Sequence, residues 1–488
     1  MQTTVMIIVV LYMLGMLGIG YWSSKRISSS TDFMVAGRSM GPILMAGTLA
    51  ATEIGGGSSL GVVEKASNLG KSQWGLSAAW YVLAMGIAFI VLMVLAPKFR
   101  ASEVRTVPEY FRRRYGKLSG LFTSVTMLLP LIGLTAGQFM ASATILSVMM
   151  NLNWKTSLIV VAIIVTIYAV MGGMWSVAIT DFVQVGLIVA GMLIAIPFSL
   201  NYAGGWSNIV DNVPPETWNL FSGIGGWKAI LALIIMYIST FTVGQEAVSR
   251  YYSARDGKAA MQGSILASGI NIIYAFIPTI LGIITLALVN MGKVSSTEVL
   301  AQGARYSLPV LATLTMPAVI VGLLFSGIIS ATMSSADSDL LGAGSIFSND
   351  IYKQYIKPGA DDKEIMNVTR ITMVIVGIFS LIVALSATSI IDLLMFSFTL
   401  RAAGAFFPYV FGHYWKKASP AGTIASLIVG SLVSLIFEKK LIPGLTFFGW
   451  EQQAVIPGLV SALVVFVVFS LLMPPKNETL EFDANEKA

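Results

Sequence analysis

The sequence lacks cysteine altogether and contains a single histidine among 488 residues. Without cysteine the chain forms no disulfide, no thiolate metal site and no thiol nucleophile. Charge is also scarce, since Asp, Glu, Lys and Arg make up 11% of the chain, against about a quarter in soluble domains. The pattern GxxxxGK[ST] of ATP-binding loops does not occur either. These absences argue against a soluble protein, a thiol enzyme and an ATP-driven pump.

The chain is instead rich in apolar residues. Hydrophobic residues account for 56% of the chain, and the mean hydropathy is +0.80. About 20 apolar residues span a bilayer core of about 30 Å as a helix, and runs of this kind recur along almost the whole chain. We predict thirteen membrane-spanning helices, at residues 5–23, 41–66, 75–96, 119–150, 156–171, 174–200, 228–247, 262–290, 316–349, 369–386, 389–412, 420–437 and 454–473.

The basic residues between these spans predict the orientation in the membrane, because Lys and Arg accumulate in cytoplasmic loops. If the N-terminus is outside, 21 of the 30 Lys and Arg residues face the cytoplasm, 8 face outside, and Arg401 lies within a span. The first span has Lys25 and Arg26 after its apolar run, unlike a cleaved secretory signal, so we expect it to be retained. The sequence predicts a multi-pass plasma (inner) membrane protein with the N-terminus outside and the C-terminus cytoplasmic. The net charge of +6 then reflects topology, and we expect no nucleic-acid partner.

One predicted span is interrupted by the stretch "TEIGGGSS", Thr52 to Ser59. Three glycines and a carboxylate are poor residues for a helix in hydrocarbon, and Glu53 at that depth requires a wet cavity or a partner. A second apolar run gives way to polar residues around Gly244. Interrupted helices at corresponding places in two halves indicate a transporter of inverted repeats with its site at the membrane midplane. We expect the solute between these breaks, near Gly55 and Gly56, and bordered by Gln138, Tyr237 and Arg401; close helix packing is the alternative reason for the glycines.

The segment "GLLFSGIISATMSSADSDLLGAGSIFSND" carries a second polar cluster. On a helix, Ala331, Ser334, Ser335 and Ser338 share one face, and Asp337 and Asp339 lie in the same turn. Hydroxyl and carbonyl oxygens are the ligands that hard cations such as Na⁺ prefer. The unwound backbone after Thr52 would add free main-chain oxygens. Small-residue packing between helices is the alternative explanation.

Three further polar residues lie in or near apolar spans. Asp181 lies about one turn into its span, where it either serves an ion or caps backbone amides. Arg401 is placed to bind a solute carboxylate or to pair with a buried acid such as Glu53. The sole histidine, His413, precedes Tyr414, Trp415 and two lysines and is expected at the membrane interface, without a metal or a catalytic role.

The chain resembles the sodium/solute symporter family, which includes proline, pantothenate, monocarboxylate, sialic acid and sugar transporters. The resemblance is carried in family order by the segments "DFMVAGRSMG", "TVPEYFRRRYG", "MGGMWSVAITDFVQ", "GQEAVSRYYSARD" and "ATMSSADSDLL". It implies an all-α membrane protein of the leucine-transporter type, built from two inverted five-helix repeats. It also implies alternating access, with Na⁺ as the coupling ion and no other cofactor.

The resemblance also implies site residues. The principal sodium site would use the main-chain oxygens of Ala51, Ile54 and Ala331 and the hydroxyls of Ser334 and Ser335. Members with a second sodium suggest a second cation site at Asp181, Ser334, Asp337 and Ser338. Position 337 is an aspartate where those members have a serine, so a second Na⁺ and a proton remain alternatives there. Glu53 stands where proline-type members carry an acid, which favours an amino acid or a small carboxylate as the solute.

The resulting expectation is a secondary transporter that couples Na⁺ to a small organic solute, and not an enzyme. A proton-coupled permease on the same fold is the nearest alternative, and an ion channel is a more distant one. The oligomeric state is not predicted. The expected divisions of the chain are 1–30 for an extra N-terminal helix, 31–200 for the first repeat, 201–227 for an external loop, 228–415 for the second repeat, 416–473 for two further helices and 474–488 for a cytoplasmic tail.

Overall fold

The computed structural model describes residues 2–25, 29–67, 69, 74–295 and 303–475. Within these residues the chain is helical, and β-pairing is limited to one isolated bridge between Met40 and Ala254. Nearly all of the predicted cytoplasmic tail, residues 476–488, lies outside the described part. The predicted all-helical class agrees with this architecture.

The helices follow one another with short connections. They are α1 (Gln2–Ser24), α2 (Ser30–Val35), α3 (Pro42–Glu53), α4 (Val62–Ser67), α5 (Trp80–Ala101), α6 (Val107–Tyr115), α7 (Lys117–Met150), α8 (Trp154–Ala203), α9 (Trp206–Asp211), α10 (Trp227–Val243), α11 (Gln245–Ser253), α12 (Gly257–Asn290), α13 (Ser307–Thr315), α14 (Ala318–Ile346), α15 (Asp362–Ser386), α16 (Ile390–Gly412), α17 (Pro420–Glu438) and α18 (Val455–Leu472). Two π-helical segments, Gly57–Gly61 and Phe347–Ile356, extend α4 and α14.

The number of membrane spans differs from the thirteen predicted. Ten helices of the described residues are long and apolar enough to cross a bilayer. Counting the bent pair α10 and α11 as one span raises this number to eleven. The predicted span 5–23 corresponds to α1, Gln2–Ser24, which is not among these ten. The predicted span 41–66 is divided, because α3 ends after 12 residues. The chain is therefore a multi-pass membrane protein, but the count of thirteen is not confirmed.

The first helix break lies where the glycines predicted it. The backbone leaves the helical region at Ile54, with φ −83° and ψ 71°, and returns at Gly56. A Cβ on Gly55 would lie 2.6 Å from the Ser335 hydroxyl oxygen, and one on Gly56 would lie 2.3 Å from the Ala141 methyl. Glycine is required here because the backbone passes too close to neighbouring helices for a side chain.

The second break separates α10 from α11 at Gly244, where the two helices are inclined by 54°. A Cβ on Gly244 would lie 2.7 Å from both the Arg401 guanidinium and the Glu246 carboxylate. A further break at Gly173, with φ +58°, divides α8 into two spans. That position matches the boundary predicted between spans 156–171 and 174–200.

Helix α14 runs through the interior and packs against α8, α7, α1 and α15, while α12 packs against α5 and α3. From Leu324 to Ile346 every residue of α14 is buried. The serines and acids predicted to bind a cation therefore lie inside the protein, facing the first break. This arrangement brings the two polar clusters of the sequence together.

Candidate functional site

The first break and α14 meet through Ser335. Its hydroxyl donates a hydrogen bond of 2.9 Å to the main-chain oxygen of Thr52 and one of 3.1 Å to that of Ala331. Ala51 and Ile54, at the same end of α3, are buried with at most 1% of their surface exposed. All five residues predicted for the principal sodium site thus belong to the two segments that Ser335 joins.

Other carbonyl oxygens freed by the break are bonded locally. The Ser58 hydroxyl donates to the main-chain oxygens of Glu53, at 2.9 Å, and Gly55, at 3.2 Å. The Gly56 amide donates to the side-chain oxygen of Gln138 at 2.8 Å. These bonds replace the intrahelical ones that α3 loses where it ends.

Ser334, the fifth predicted ligand, faces another group in this structure. Its hydroxyl donates to the carboxylate of Asp181, which also accepts from the Thr48 hydroxyl at 2.5 Å. Asp181 has 0% exposure, and its bonding partners here are side chains. Its alternative role as a cap of backbone amides therefore does not match this arrangement.

A buried arginine completes the same group. The Arg250 guanidinium lies 3.2 Å from the Asp181 carboxylate and donates to the Ser338 hydroxyl at 2.6 Å. Both partners of this ion pair have fully buried side chains. The topology prediction counts Arg250 as a loop residue, but it lies in α11, which continues beyond the predicted span 228–247, and its side chain is buried. The sequence pattern does not single out Thr48 either, because a single threonine in an apolar helix is common.

Asp337 is the remaining member of the predicted second cation site. Its carboxylate lies in this region and lacks a full set of hydrogen-bond partners. Its Oδ1 is 3.5 Å from the Ser338 hydroxyl, and its Oδ2 is buried without a hydrogen-bond partner. Asp181 and Ser338 therefore contact one guanidinium directly, while Ser334 joins them through Asp181 and Asp337 through Ser338. The group holds two carboxylates and one permanent cation.

A small cavity of about 20 Å³ lies beside the first break. Such a volume holds about one water-sized group. Of the residues predicted to border the solute, Glu53 and Gln138 line it. Its full lining is Thr52, Glu53, Gly57, Ser58, Tyr81, Met85, Leu134, Gln138, Glu246, Ser335, Asp339, Leu394 and Phe398.

Arg401 pairs with an acid that the sequence analysis did not select. Its Nη1 lies 2.6 Å from the Glu246 carboxylate, and its Nε donates to the Thr240 hydroxyl at 2.9 Å. The expected acidic partner was Glu53, and the structure places Glu246 in that role. Both side chains of the pair are almost fully buried, with 1% and 4% exposed. Arg401 itself lies outside the set of residues that line the cavity.

Tyr237 also lies behind the wall. Its ring packs edge-on against Tyr81, with ring centres 5.6 Å apart, and against Phe398, at 5.5 Å. Tyr81 and Phe398 are the rings that line the cavity itself. The predicted Tyr237 thus supports the wall. Tyr81 lies in an apolar run without a polar neighbour, so the sequence pattern does not single it out.

A second, larger cavity of about 330 Å³ lies on the side of the protein predicted to face outside. Its polar lining includes Asp392, Thr399, Glu438 and Gln453. Phe398 and Thr399 are adjacent in α16; Phe398 lines the smaller cavity and Thr399 lines the larger one. Helix α16 therefore lines both spaces.

The opposite end of the molecule is closed by a buried polar network. The Thr106 hydroxyl donates to Asp350 at 2.5 Å, and the Gln245 side chain accepts from the Val107 amide at 2.9 Å. Asn349 donates to the carboxylates of Asp350, at 3.0 Å, and Glu109, at 3.4 Å. The segment before α6 thus joins the start of α11 to the end of α14.

His413 lies just beyond α16, between the rings of Tyr110 and Tyr409. Burial, with help from the charges of Lys98 and Arg114, lowers the pKa of His413 to about 3. The imidazole is therefore neutral at physiological pH. In the described residues no group of three or more His, Asp or Glu forms a metal site.

Comparison with known proteins identifies one family, and the relatives named here are transporters. The model of the sodium:solute symporter family matches residues 33–430. The osmoregulated proline transporter OpuE of Bacillus subtilis (strain 168) is 25% identical, over 100% of this chain and 99% of that protein. The high-affinity proline transporter PutP of the same organism is 28% identical, over 94% of this chain and 96% of its own length.

Solved structures of the same architecture include a Na⁺-coupled sialic acid symporter in a substrate-bound outward-open state, with a TM-score of 0.78 and 21% identity over 97% of this chain and 99% of that one. A second is MHP1, a nucleobase-cation-symport-1 family transporter in a closed conformation, with a TM-score of 0.55 and 12% identity over 90% of this chain and 94% of that one. At these identities the likeness concerns the fold. It confirms the leucine-transporter-type fold predicted from the sequence.

Proposed function

Because the chain belongs to the sodium:solute symporter family, we propose that it moves a small organic solute across the plasma membrane together with Na⁺, by alternating access. The protein is a transporter and not an enzyme. With a negative interior, each entering Na⁺ supplies about 2.3 kcal/mol per 100 mV, before its concentration gradient is added. The named relatives make an amino acid the favoured solute, with a small carboxylate as the second choice.

The observation that carries the proposal is the contact of Ser335 with the first helix break. It joins the end of α3 to α14 by a hydrogen bond to Thr52. A Na⁺ bound by the main-chain oxygens of Ala51, Ile54 and Ala331 and by the hydroxyls of Ser334 and Ser335 would tie the same two segments together. Because an ion shifts an equilibrium only by its different affinity for two states, coupling requires ligands from both segments.

Ser334 links this sodium site to the buried Asp181 group. In the present arrangement its hydroxyl is bonded to Asp181, so binding Na⁺ at the principal site would require the hydroxyl to turn toward the break. Asp181 would then lose one of its hydrogen-bond donors and keep Thr48 and Arg250. We propose that this change makes Asp181, Asp337 and Ser338 a second cation site that responds to the first.

The solute would bind at the small cavity, with Glu53 and Gln138 in direct contact and Gly55, Gly56 and Gly244 allowing close approach. Tyr237 would act through the rings of Tyr81 and Phe398, and Arg401 would act through Glu246. Because Glu246 already engages Arg401, the cavity in this state favours an amino group over a carboxylate. An amino acid therefore fits the site better than a simple carboxylate.

We further propose that residues 31–200 and 228–415 form the two repeats, each with one of the helix breaks. The N-terminus would lie outside and the C-terminus in the cytoplasm, as the basic residues predict. The cavity of about 330 Å³ would then be the outer vestibule. The network of Thr106, Asp350 and Gln245 would close the cytoplasmic side.

The experiment is a thermal-shift measurement on the purified full-length protein in NaCl and in KCl at equal ionic strength. Proline and lactate serve as the first amino-acid and carboxylate probes. A solute that raises the melting temperature only in NaCl supports Na⁺ coupling through mass-action linkage. A solute that stabilises equally in both salts, with a strong dependence on pH, contradicts it and favours the proton-coupled permease, for which Asp337 would be the proton carrier.

A further inference from the structure

Arg250 lies wholly inside the protein, with none of its surface exposed, and every nitrogen of its side chain is bonded. Its Nε donates to the Thr48 hydroxyl at 3.2 Å, and its Nη1 donates to the main-chain oxygen of Glu246 at 2.5 Å. Its Nη2 donates to the Asp181 carboxylate at 3.2 Å and to the Ser338 hydroxyl at 2.6 Å. Side chains of α3, α8 and α14 thus hold one guanidinium that extends from α11.

Two of these partners belong to the predicted second cation site. Asp181 and Ser338 carry oxygen atoms of the kind that Na⁺ prefers as ligands, and the guanidinium is bonded to both. The other carboxylate oxygen of Asp181 accepts from the Ser334 hydroxyl, so both of its oxygens are engaged. Two cations beside the same oxygens would also repel each other strongly in a buried site. Arg250 and an ion at this site therefore exclude one another.

Asp337 indicates that the guanidinium does not complete the site. The ion pair of Arg250 is made with Asp181 and not with Asp337. The Oδ1 of Asp337 lies 3.5 Å from the Ser338 hydroxyl, and its Oδ2 is buried without a hydrogen-bond partner. A buried polar atom without a partner requires an explanation. An ion that replaces the guanidinium beside Ser338 gives this oxygen a partner.

A resident positive charge has a use when the ion is absent. A carrier that works by alternating access returns through states in which its ion sites are empty, and a buried carboxylate without a partner costs several kcal/mol. Arg250 gives Asp181 a partner in such a state. A guanidinium suits this task because it does not lose its proton in proteins.

The position of the guanidinium depends on α11. Arg250 belongs to this helix and is bonded to its first turn through the main-chain oxygen of Glu246. The same turn begins with Gln245, whose side chain accepts from the Val107 amide at 2.9 Å and donates to the main-chain oxygen of Arg105 at 3.1 Å. These bonds belong to the network that closes the end of the molecule opposite the larger cavity. A displacement of α11 that withdraws the guanidinium therefore also acts on that network.

We infer that Arg250 is a tethered cation that occupies the second cation site when no ion is bound there, and that Na⁺ binds at Asp181 and Ser338 only once the guanidinium has left them. The inference rests on the proposed Na⁺ symport and specifies a residue that sets the affinity for its second ion. Arg250 lowers that affinity, because only the fraction of molecules with the guanidinium withdrawn is competent to bind the ion. The return of the guanidinium then favours release of the ion.

The test removes the tethered charge. Arg250→Ala and Arg250→Lys are compared with the unsubstituted protein, all as purified full-length chains, and the melting temperature is followed while NaCl replaces KCl at constant ionic strength. Each titration is repeated with Ser335→Ala added, which weakens the principal sodium site, so that the remaining response to Na⁺ reports the second site. Guanidinium chloride, at concentrations far below those that unfold the protein, serves as a free substitute for the missing side chain.

We expect Arg250→Ala to lower the Na⁺ concentration for half-maximal stabilisation at least about tenfold, because the competing cation is gone. Guanidinium should raise the melting temperature of this variant in KCl, and it should also raise the Na⁺ concentration that the variant requires, since both cations bind one site. An unchanged Na⁺ requirement, or additive stabilisation by guanidinium and Na⁺, overturns the inference. Absence of any stabilisation of the unsubstituted protein by Na⁺ contradicts the proposed function instead.

Arg250→Lys covers the case in which the alanine variant does not fold. Its ammonium group keeps the buried charge but lacks the planar fork of a guanidinium, so it cannot maintain the same set of contacts and competes less strongly. We expect the Na⁺ requirement to fall by about threefold. A folded lysine variant with an unchanged requirement overturns the inference.

Arg114→Ala is the matched control, because it also removes a buried arginine. Arg114 is 3% exposed and donates to the main-chain oxygens of Gly412 and Trp415, away from the Asp181 group. Its loss should lower the melting temperature and leave the Na⁺ requirement unchanged. A fall in the Na⁺ requirement of Arg114→Ala as large as that of Arg250→Ala would show that destabilisation alone produces the effect, and would overturn the inference.

Discussion

The hydroxyl of Ser335 donates a hydrogen bond of 2.9 Å to the main-chain oxygen of Thr52, 283 residues earlier in the chain. This bond joins the interior helix α14 to the broken helix of the first half. A carbonyl oxygen at a helix break has no intrahelical donor, so it is available to a hydroxyl or to a cation. Ser335 is therefore placed to be a ligand of the proposed Na⁺.

Ser335→Ala tests that relationship. We expect the Na⁺ concentration for half-maximal stabilisation or uptake to rise about tenfold, because one oxygen ligand is lost at a cost near 1.4 kcal/mol. Ser326→Ala is the matched control, since Ser326 lies on the same helix and bonds only to the main-chain oxygen of Gly322. An unchanged Na⁺ dependence in Ser335→Ala would remove this site from the coupling mechanism.

Gly55→Ala should disable the site by steric contact. The added Cβ would lie 2.6 Å from the Ser335 hydroxyl oxygen and 2.7 Å from the Gln138 side-chain oxygen. We expect loss of Na⁺-dependent uptake while the protein still reaches the membrane. Gly269→Ala provides the comparison, because a Cβ there meets nothing within 4 Å and alanine favours a helix by about 1 kcal/mol. Equal uptake by both variants would show that the break tolerates a side chain.

Arg401→Gln distinguishes the two roles of this arginine. If it serves Glu246, removal of the guanidinium leaves a buried carboxylate unpaired and costs about 3–5 kcal/mol of stability. The double variant Arg401→Gln with Glu246→Gln should then recover most of that loss, measured as melting temperature. A stable Arg401→Gln protein with weakened solute affinity would instead identify Arg401 as the anchor of a solute carboxylate.

Asp337→Asn examines the second cation. We expect the number of Na⁺ ions moved per solute to fall by one, because the carboxylate that lacks a full set of partners is lost. The ratio is measured from reversal potentials in proteoliposomes. The alternative, a proton at Asp337, predicts an unchanged Na⁺ ratio and a loss of pH dependence. Asp256→Asn, at a helix-capping residue whose side chain is 46% exposed and which lies outside this group, controls for the removal of an acid.

The sequence predicted the main lines of the fold because they depend on local composition. Apolar runs located most of the long helices, and the glycines at Gly55 and Gly56 located the first break. It did not show which helices enclose that break, because the close contact of Gly56 with Ala141 is made 85 residues along the chain.

The site was predicted in part, for the same reason. Glu53 and Ser335 stood out, since a carboxylate or a serine cluster is unusual in an apolar run. Arg250 and Glu246 did not, because they follow a helix break and resembled loop residues. Only the 54° bend between α10 and α11 returns them to the interior. A sequence does not show how far inward a helix continues after a bend.

The burial of Arg250 against Asp181 also bears on how the protein is made. The two residues are 69 positions apart, and both charges have no exposure in the finished structure. A chain that enters the membrane from its N-terminus exposes Asp181 before its partner has been synthesised, and a lone charge in lipid is costly. Until α11 has been made, Asp181 therefore lacks the charge that it faces in the finished structure.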